Sequence, residues 1–327
     1  MTTGVSLFSG VGGFDIAMER AGIKVTTTVE IDKNCQTVLK ERFPNTQILG
    51  DITQVKGSEL IDAGFDPRTG IITGGFPCQD LSVAGKRAGL EGKRSGLFWE
   101  ICRLLRETKA QNIILENVPG LLSSNEGRDM AAVVEALVEL GYGIAWRVLD
   151  AQHFGVPQRR RRVFIVGCLG DSGRTPAEVL AIAESRSRYL ATGGKSRKTT
   201  TKDINGISNT VGSLLARDHK GLDQISVEEN KVVVFYGNRI NDIRIQDGKI
   251  NTLQARMGTG GNNTPIIHTE ASIRRLTPLE CERLQGFPDG WTEGQPNGHR
   301  YKQMGNAVAV PVVEWVVNRL QATVNSK

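Results

Sequence analysis

Short apolar runs alternate with helically spaced segments through the first half of the chain. Val5–Phe8 reads as a strand, and a Gly-rich turn at Ser9–Gly13 separates it from a helix over Phe14–Ala21. Lys24–Val29 is β-branched and predicts a second strand. Asn34–Phe43 predicts a helix and Gln47–Leu49 a third strand. Gly70–Thr73 is a fourth strand, running into a loop with Gly74, Gly75 and Pro77. Leu97–Thr108 has the spacing of an amphipathic helix. Asn112–Glu116 follows as a strand, Asp129–Leu140 as a helix and Arg162–Cys168 as a strand. This alternation predicts an α/β fold, with a parallel sheet flanked by helices.

The rhythm stops near Asp171. Ala177–Leu190 predicts one more helix. Thr192–His268 is rich in Gly, Asn and Thr, with β-like runs at Val232–Tyr236 and Lys249–Leu253 and a turn cluster at Gly258–Asn263. Such a segment predicts a second, smaller domain of strands and loops. Regular structure returns after Arg274. Thr277 can cap a helix with Pro278 at its first position and Glu280 three residues on, running to about Leu284. Val308–Leu320 predicts a final helix whose apolar face needs a large partner, expected to be the first domain.

Composition narrows the class. A length of 327 residues suits one large domain or two ordinary ones. The 38 glycines follow no period, which excludes collagen-like and solenoid architectures. The five cysteines show no C-x-x-C spacing, so neither a zinc site of that type nor a disulfide framework is expected. No metal is predicted. A reducing, cytoplasmic setting is the expectation, without signal peptide or membrane anchor. The net charge of +6 fits a nucleic-acid partner without requiring one.

Several strand ends carry chemistry. Phe8-Ser-Gly-Val-Gly-Gly13 lies between a strand and a helix, where glycines permit close backbone approach and helix N–H groups face a ligand. Glu30, after the next strand, is placed to hold ribose hydroxyls. The motif is not G-x-G-x-x-G, which disfavours a dinucleotide. Asp51 can accept from an adenine amino group and Ile52 can cover its ring, although a turn Asp is the simpler reading of Asp51 alone. Gly74-Gly75-Phe76-Pro77-Cys78-Gln79 puts a cysteine in an exposed loop, unlike the other four cysteines, which read as small buried hydrophobes. Glu116 directly follows the apolar Ile113–Leu115, and a partly buried Glu has a raised pKa suited to proton donation. In the run Gln158–Arg162, Arg160 and Arg162 share a side of an extended segment and suit phosphate or base-edge contacts. Gly85, Gly89, Gly92 and Gly96, interspersed with Lys86, Arg87, Lys93 and Arg94, read as a basic lid beside Cys78.

These motifs together resemble the DNA (cytosine-5)-methyltransferases of bacterial and phage type. Phe8–Phe14 is similar to the family's cofactor motif, Pro77–Cys78 to its catalytic motif, Glu116–Val118 to E-N-V and Gln158–Arg162 to Q-x-R-x-R. Arg274–Asp289 resembles the helical motif beside the recognition domain, and Gln303–Val308 the last, cofactor-side motif. The resemblance implies a Rossmann-like S-adenosylmethionine-dependent fold with a smaller target-recognition domain. Residues 1–186 would form the catalytic domain's first part, 187–272 the recognition domain, and 273–327 a segment returning to complete the first.

The resemblance also implies roles. Cys78 adds to C6 of a flipped cytosine, Glu116 bonds its N3/N4 edge, and Arg162, with Arg160 beside it, contacts the pyrimidine oxygen. S-adenosylmethionine is the implied cofactor, held by Phe8, Gly10, Val11, Gly13, Glu30, Ile31, Asp51, Ile52, Pro77, Leu97 and Asn306. Ser82, Lys86, Arg87 and Arg94 would touch DNA from the lid, while Asn238, Arg239, Arg244 and Arg256 are candidate base or phosphate readers. Double-stranded DNA is the implied partner, a cognate restriction endonuclease is left open, and a monomer is expected. Three departures stand out: Ile31 and Ala307 replace a common aromatic and a common Ser, and Ala84 replaces a Ser of some relatives.

Three other readings compete. An RNA-methylating enzyme would use the same fold, but the long insert argues for a base-reading DNA domain. A catalytically silent DNA-binding relative is disfavoured by the intact Pro77–Cys78, Glu116 and Arg162. A Rossmann dehydrogenase leaves Cys78 and Glu116 without a task.

Overall fold

The computed structural model describes residues 1–77, 96–171, 173–182, 233–237, 243–247, 252–255, 257, 266–269 and 272–325. Its centre is a seven-stranded sheet of β1 (Thr3–Leu7), β2 (Lys24–Val29), β3 (Gln47–Leu49), β4 (Ile71–Gly75), β5 (Asn112–Asn117), β6 (Tyr142–Asp150) and β7 (Arg161–Leu169). The spatial order is β3-β2-β1-β4-β5-β7-β6. β1 to β5 run parallel, as the sequence predicts, whereas β7 is antiparallel to both β5 and β6. The parallel expectation therefore needs correction at one edge: β6, which has no clean alternation, forms a hairpin with β7.

Side chains of period two divide the core between the sheet's faces. Along β5, Ile114 joins one apolar cluster while Ile113 and Leu115 join the other. Along β7, Phe164, Val166 and Cys168 join the first, and Val163 and Ile165 the second. Helices α1 (Gly13–Arg20) and α2 (Lys33–Arg42) cover the first face. Helices α3 (Gly57–Asp62), α4 (Leu97–Thr108) and α5 (Arg128–Glu139) cover the second.

Helix α6 (Arg174–Leu180) is shorter than the predicted Ala177–Leu190. Ala181 is extended, and arginines from elsewhere take the helix's last carbonyls. Arg319 bonds those of Glu178 and Val179, and Arg147 that of Leu180. Residues 183–190 lie outside the described residues. After them the described residues contain a four-stranded antiparallel sheet of β8 (Val233–Gly237), β9 (Ile243–Asp247), β10 (Ile266–Thr269) and β11 (Ser272–Arg275), ordered β11-β10-β8-β9. No strand occupies 252–254, at the end of the run predicted at Lys249–Leu253.

The C-terminal segment adds α7 (Pro278–Gln285), α8 (Asn297–Asn306) and α9 (Val310–Asn325). α7 starts with the predicted capping box: Thr277 accepts from the Glu280 N–H, and Glu280 accepts from that of Thr277. α9 packs on α1, and its Val313, Val316 and Val317 share the first cluster with Phe14 and Ala17. An Arg20–Glu314 ion pair of 3.5 Å lies at the rim of this contact.

Candidate functional site

The strand order reverses beside β1, so the C-terminal ends of β1 and β4 flank a switch point, where open α/β sheets bind ligands. The chain enters this edge from β1 through Phe8, whose φ of 55° is left-handed and uncommon for a side-chain-bearing residue. Gly12 then caps α1 with φ of 89°, and a Cβ there would lie 2.5 Å from the Phe43 ring. Gly10 differs: a Cβ on it would meet nothing within 4 Å, so it borders open space.

Glu30 directly follows β2 and closes this turn. Its Oε2 accepts the Gly10 N–H at 2.7 Å and its Oε1 the Asp32 N–H at 2.8 Å. Burial raises the Glu30 carboxyl, and these two N–H groups counter the rise. Ile31 beside it is 68% exposed, an apolar side chain left facing outward. Asp51 begins a 3₁₀ turn after β3 and accepts from the Thr53 N–H at 3.0 Å, while Ile52 is buried in the second core cluster. The simple reading of Asp51 as a turn Asp thus holds for one of its oxygens. Val11 is buried too.

Beneath the glycine turn lies a buried carboxyl with no assignment from sequence. Asp15 accepts from the hydroxyls of Ser6 at 2.9 Å and Thr28 at 2.6 Å. Burial pushes its pKa up to about 6.

The second group of residues meets where β4, β5 and β7 lie side by side. Register places Gly75 opposite Glu116, and Glu116 opposite Phe164. Because β7 runs antiparallel, its beginning lies at the same edge as the end of β5. Arg162 Nε thus reaches Glu116 Oε1 at 2.8 Å, with both side chains 13% exposed. Gly75 makes room for this pair: a Cβ there would lie 3.0 Å from Glu116 Oε2. Burial raises the Glu116 carboxyl, and the charges of Arg162 and Arg160 oppose the rise.

Arg160 precedes β7 and is only 2% exposed. Its guanidinium donates to the Leu253 carbonyl at 3.2 Å and the Gly305 carbonyl at 3.3 Å. Burial works against its charge, Arg162 adds to that, and Glu116 opposes it. Gln158, also buried, donates to the Leu284 carbonyl and accepts from the Leu253 N–H. The Q-x-R half of the run therefore ties three distant segments together, while Arg162 faces Glu116.

Pro77 is exposed at the end of the loop from β4, and Leu97 is half-buried at the start of α4. Phe76 anchors the loop by packing on Phe98, with ring centroids 5.1 Å apart. Cys78 and the predicted lid residues Ser82, Lys86, Arg87 and Arg94 lie outside the described residues, as do Asn238, Arg239 and Arg256. Arg244 stands in β9 opposite Tyr236. Asn306 is exposed at the end of α8, just before Val308 packs against Gly13. The cysteines other than Cys78 are buried and form no disulfide. Among the described residues no cluster could hold a metal, and no helix is long and apolar enough to cross a membrane.

The family model for C-5 cytosine-specific DNA methylases matches residues 2–322. The chain belongs to that family. It is an enzyme of the DNA cytosine-5 methyltransferase type. It is 34% identical to the type II methyltransferase M.Bsp6I of Bacillus sp., over 96% of this chain and 97% of that protein. It is 31% identical to M.Sau3AI of Staphylococcus aureus, over 97% and 95%. A solved structure of a protein encoded within an E. coli prophage covers 99% of this chain and 100% of its own, at TM-score 0.66 and 23% identity. The fold is the α/β methyltransferase fold.

In this methyltransferase, residues given no role from sequence support the glycine turn and the loop that leads to Cys78. Asn117 donates from Nδ2 to the Phe76 carbonyl at 2.8 Å. Trp291 donates from Nε1 to the Val11 carbonyl at 2.7 Å, and Lys302 pairs with Asp32 at 2.9 Å. Asn117 could have been found as the neighbour of Glu116 at a buried strand end. Trp291 and Lys302 lie 280 and 270 residues from their partners, and nothing local marks them.

Proposed function

We propose that this chain methylates C5 of a cytosine within a specific double-stranded DNA sequence, using S-adenosylmethionine. The observation that carries this is convergence on one sheet edge. The glycine turn with Glu30, the loop leading to Cys78 and the Glu116–Arg162 pair all lie at the ends of adjacent strands.

The residues fit the cofactor. Each Glu30 oxygen accepts one backbone N–H and keeps capacity for a ribose hydroxyl. Exposed Ile31 offers an apolar surface to a base, and Gly10 borders open space. Phe8, Val11, Gly13, Asp51, Ile52, Pro77, Leu97 and Asn306 are assigned to the same site. When bound, S-adenosylmethionine supplies a methyl group on a sulfonium.

C5 of cytosine is a poor nucleophile, and the chain's task is to activate it. The target base leaves the duplex stack. The Cys78 thiolate forms a bond to C6, breaking aromaticity and moving an electron pair toward C5. Glu116, buried and with a raised pKa, holds a proton at the N3/N4 edge and stabilises the enamine. Arg162, fixed on Glu116 through Nε, directs its outer nitrogens to the pyrimidine oxygen. Arg160 keeps this end of β7 in place. After methylation a solvent-supplied base takes the C5 proton, the freed electron pair re-forms the C5–C6 double bond, and the Cys78–C6 bond breaks to return the thiolate.

Residues 187–272 are assigned to target recognition, and 273–327 to completing the catalytic domain begun by 1–186. Ser82, Lys86, Arg87 and Arg94 are assigned to DNA contacts. The enzyme is expected to act as a cytoplasmic monomer, and a restriction endonuclease acting on the same site would be its counterpart.

A duplex carrying 5-fluorocytosine at the target tests the reading, because fluorine cannot leave as a proton does. With S-adenosylmethionine present, a denaturation-resistant adduct at Cys78 is expected. Cys78→Ser should bind DNA without methylating it. A fully active Cys78→Ser enzyme would overturn the covalent mechanism, and methylation of tRNA in preference to duplex DNA would overturn the substrate.

A further inference from the structure

The glycine turn and Glu30 are held from outside by two side chains of the C-terminal segment. A continuous path joins them. Trp291 Nε1 donates to the Val11 carbonyl at 2.7 Å, and the next residue back, Gly10, donates to Glu30 Oε2 at 2.7 Å. Glu30 Oε1 accepts from the Asp32 N–H at 2.8 Å, and Asp32 Oδ2 pairs with Lys302 Nζ at 2.9 Å. The path begins on the loop after α7 and ends in α8. A β1 turn and a β2 turn are thereby clamped between two points of one distant segment.

Each end is built rather than incidental. The Trp291 indole is buried, packed edge-on to Phe43 at 5.8 Å and tilted against Phe287 at 5.7 Å. Arg42 stacks over it at 5.4 Å and donates to the carbonyls of Trp291 and Gly290. The indole N–H thus has one direction available, and it points at the Val11 carbonyl. At the other end Lys302 is half-exposed, yet Asp32 also caps α2 by accepting from the Asn34 N–H. Gln295 reinforces this end by donating to the Asn34 carbonyl.

We infer that Trp291 and Lys302 are positioning residues for the cofactor, acting through Val11 and Asp32 to set the Glu30 carboxylate. The inference rests on the reading of Glu30 and the glycine turn as the S-adenosylmethionine site. A carboxylate binding two ribose hydroxyls must be held to within a fraction of an ångström, and each oxygen here is fixed by a backbone N–H: that of Asp32, which Lys302 pairs, and that of Gly10, whose neighbour Val11 is held by Trp291. Neither Trp291 nor Lys302 needs to touch the cofactor to affect its affinity.

Calorimetric titration of the full-length protein with S-adenosylmethionine, without DNA, tests this. Trp291→Phe keeps an aromatic ring but removes the N–H, and Lys302→Met removes the charge. Each is expected to weaken cofactor binding roughly three- to tenfold, the scale of one hydrogen bond or a partly exposed ion pair. Asp32→Asn should reproduce Lys302→Met, and Lys302→Arg should restore most of the affinity. Because both ends act on one carboxylate, the double variant should lose less than the product of the single losses. Duplex DNA affinity should not change. Wild-type cofactor affinity in variants that melt at lower temperature would mean that both contacts only stabilise the fold, and would overturn the inference. Failure of the wild-type protein itself to bind S-adenosylmethionine would instead overturn the assignment of the site.

Discussion

Asn117 reaches from the end of β5 to the Phe76 carbonyl at the end of β4, while its Oδ1 accepts from the Val118 N–H at 2.8 Å. One buried amide therefore fixes two adjacent turns. One carries Glu116, and the other leads through Pro77 to Cys78. Asn117→Ala should lower kcat about 10- to 100-fold, because a displacement near 1 Å is enough to misalign a nucleophile. Calorimetry should find S-adenosylmethionine affinity unchanged. A wild-type kcat would show that the catalytic loop is positioned without Asn117.

Glu116→Gln keeps the shape of the side chain but removes its titratable carboxyl. A loss of about 10²–10⁴-fold in kcat is expected, the range for general acid–base groups. The sign of the pH dependence follows from burial, which raises the Glu116 carboxyl. In the proposed mechanism the protonated acid is the working form, so kcat/KM should fall as pH rises through this raised value. The pH–rate profile of Glu116→Gln should lack that falling limb.

Asp15 should impose a stability cost that grows with pH. Its carboxyl rises from 3.8 to about 6 on folding, so the folded state binds more protons between those values. Stability then falls as pH rises from about 4 to about 6 and levels off above, by roughly 3 kcal/mol at most. Asp15→Asn should flatten that part of the profile in denaturant unfolding measured across pH. An unchanged profile would exclude Asp15 as its source.

Gly10 and Gly12 should fail in different ways. Gly12→Ala places a methyl group 2.5 Å from the buried Phe43 ring at a left-handed φ, and should cost about 2–4 kcal/mol of stability. Gly10→Ala is also at a left-handed φ, 56°, but meets no neighbour within 4 Å, so its methyl group should project into the space proposed for the cofactor. It should reduce S-adenosylmethionine affinity with a smaller change in melting temperature. Thermal melts paired with cofactor titration separate the two.

Sequence predicts strands and helices most sharply where one local pattern dominates. Leu97–Thr108, Lys24–Val29 and Gln47–Leu49 form as their spacing predicts, because a strong apolar stripe or a β-branched run needs only a face to bury. β6 escaped because it is an edge strand with a mixed pattern, and its pairing is decided by β7. α8 escaped for a related reason. Asn297–Asn306 is polar around most of its circumference, and its helix is held by contacts such as Gln285 Nε2 with the Met304 carbonyl.

The amino-acid sequence by itself determined the alternation of the catalytic half, the order of its motifs and the family to which they belong. Those features are local: a glycine turn, a proline before a cysteine and a carboxylate after an apolar run each carry their chemistry within a few residues. Tertiary structure alone decided which groups meet. The reversal of β7 puts Arg162 on Glu116, and the returning C-terminal segment puts Trp291 on Val11 and Lys302 on Asp32. A hydrogen bond acts over about 3 Å and has no sequence range. Partners hundreds of residues apart therefore leave no mark on the local pattern of either one.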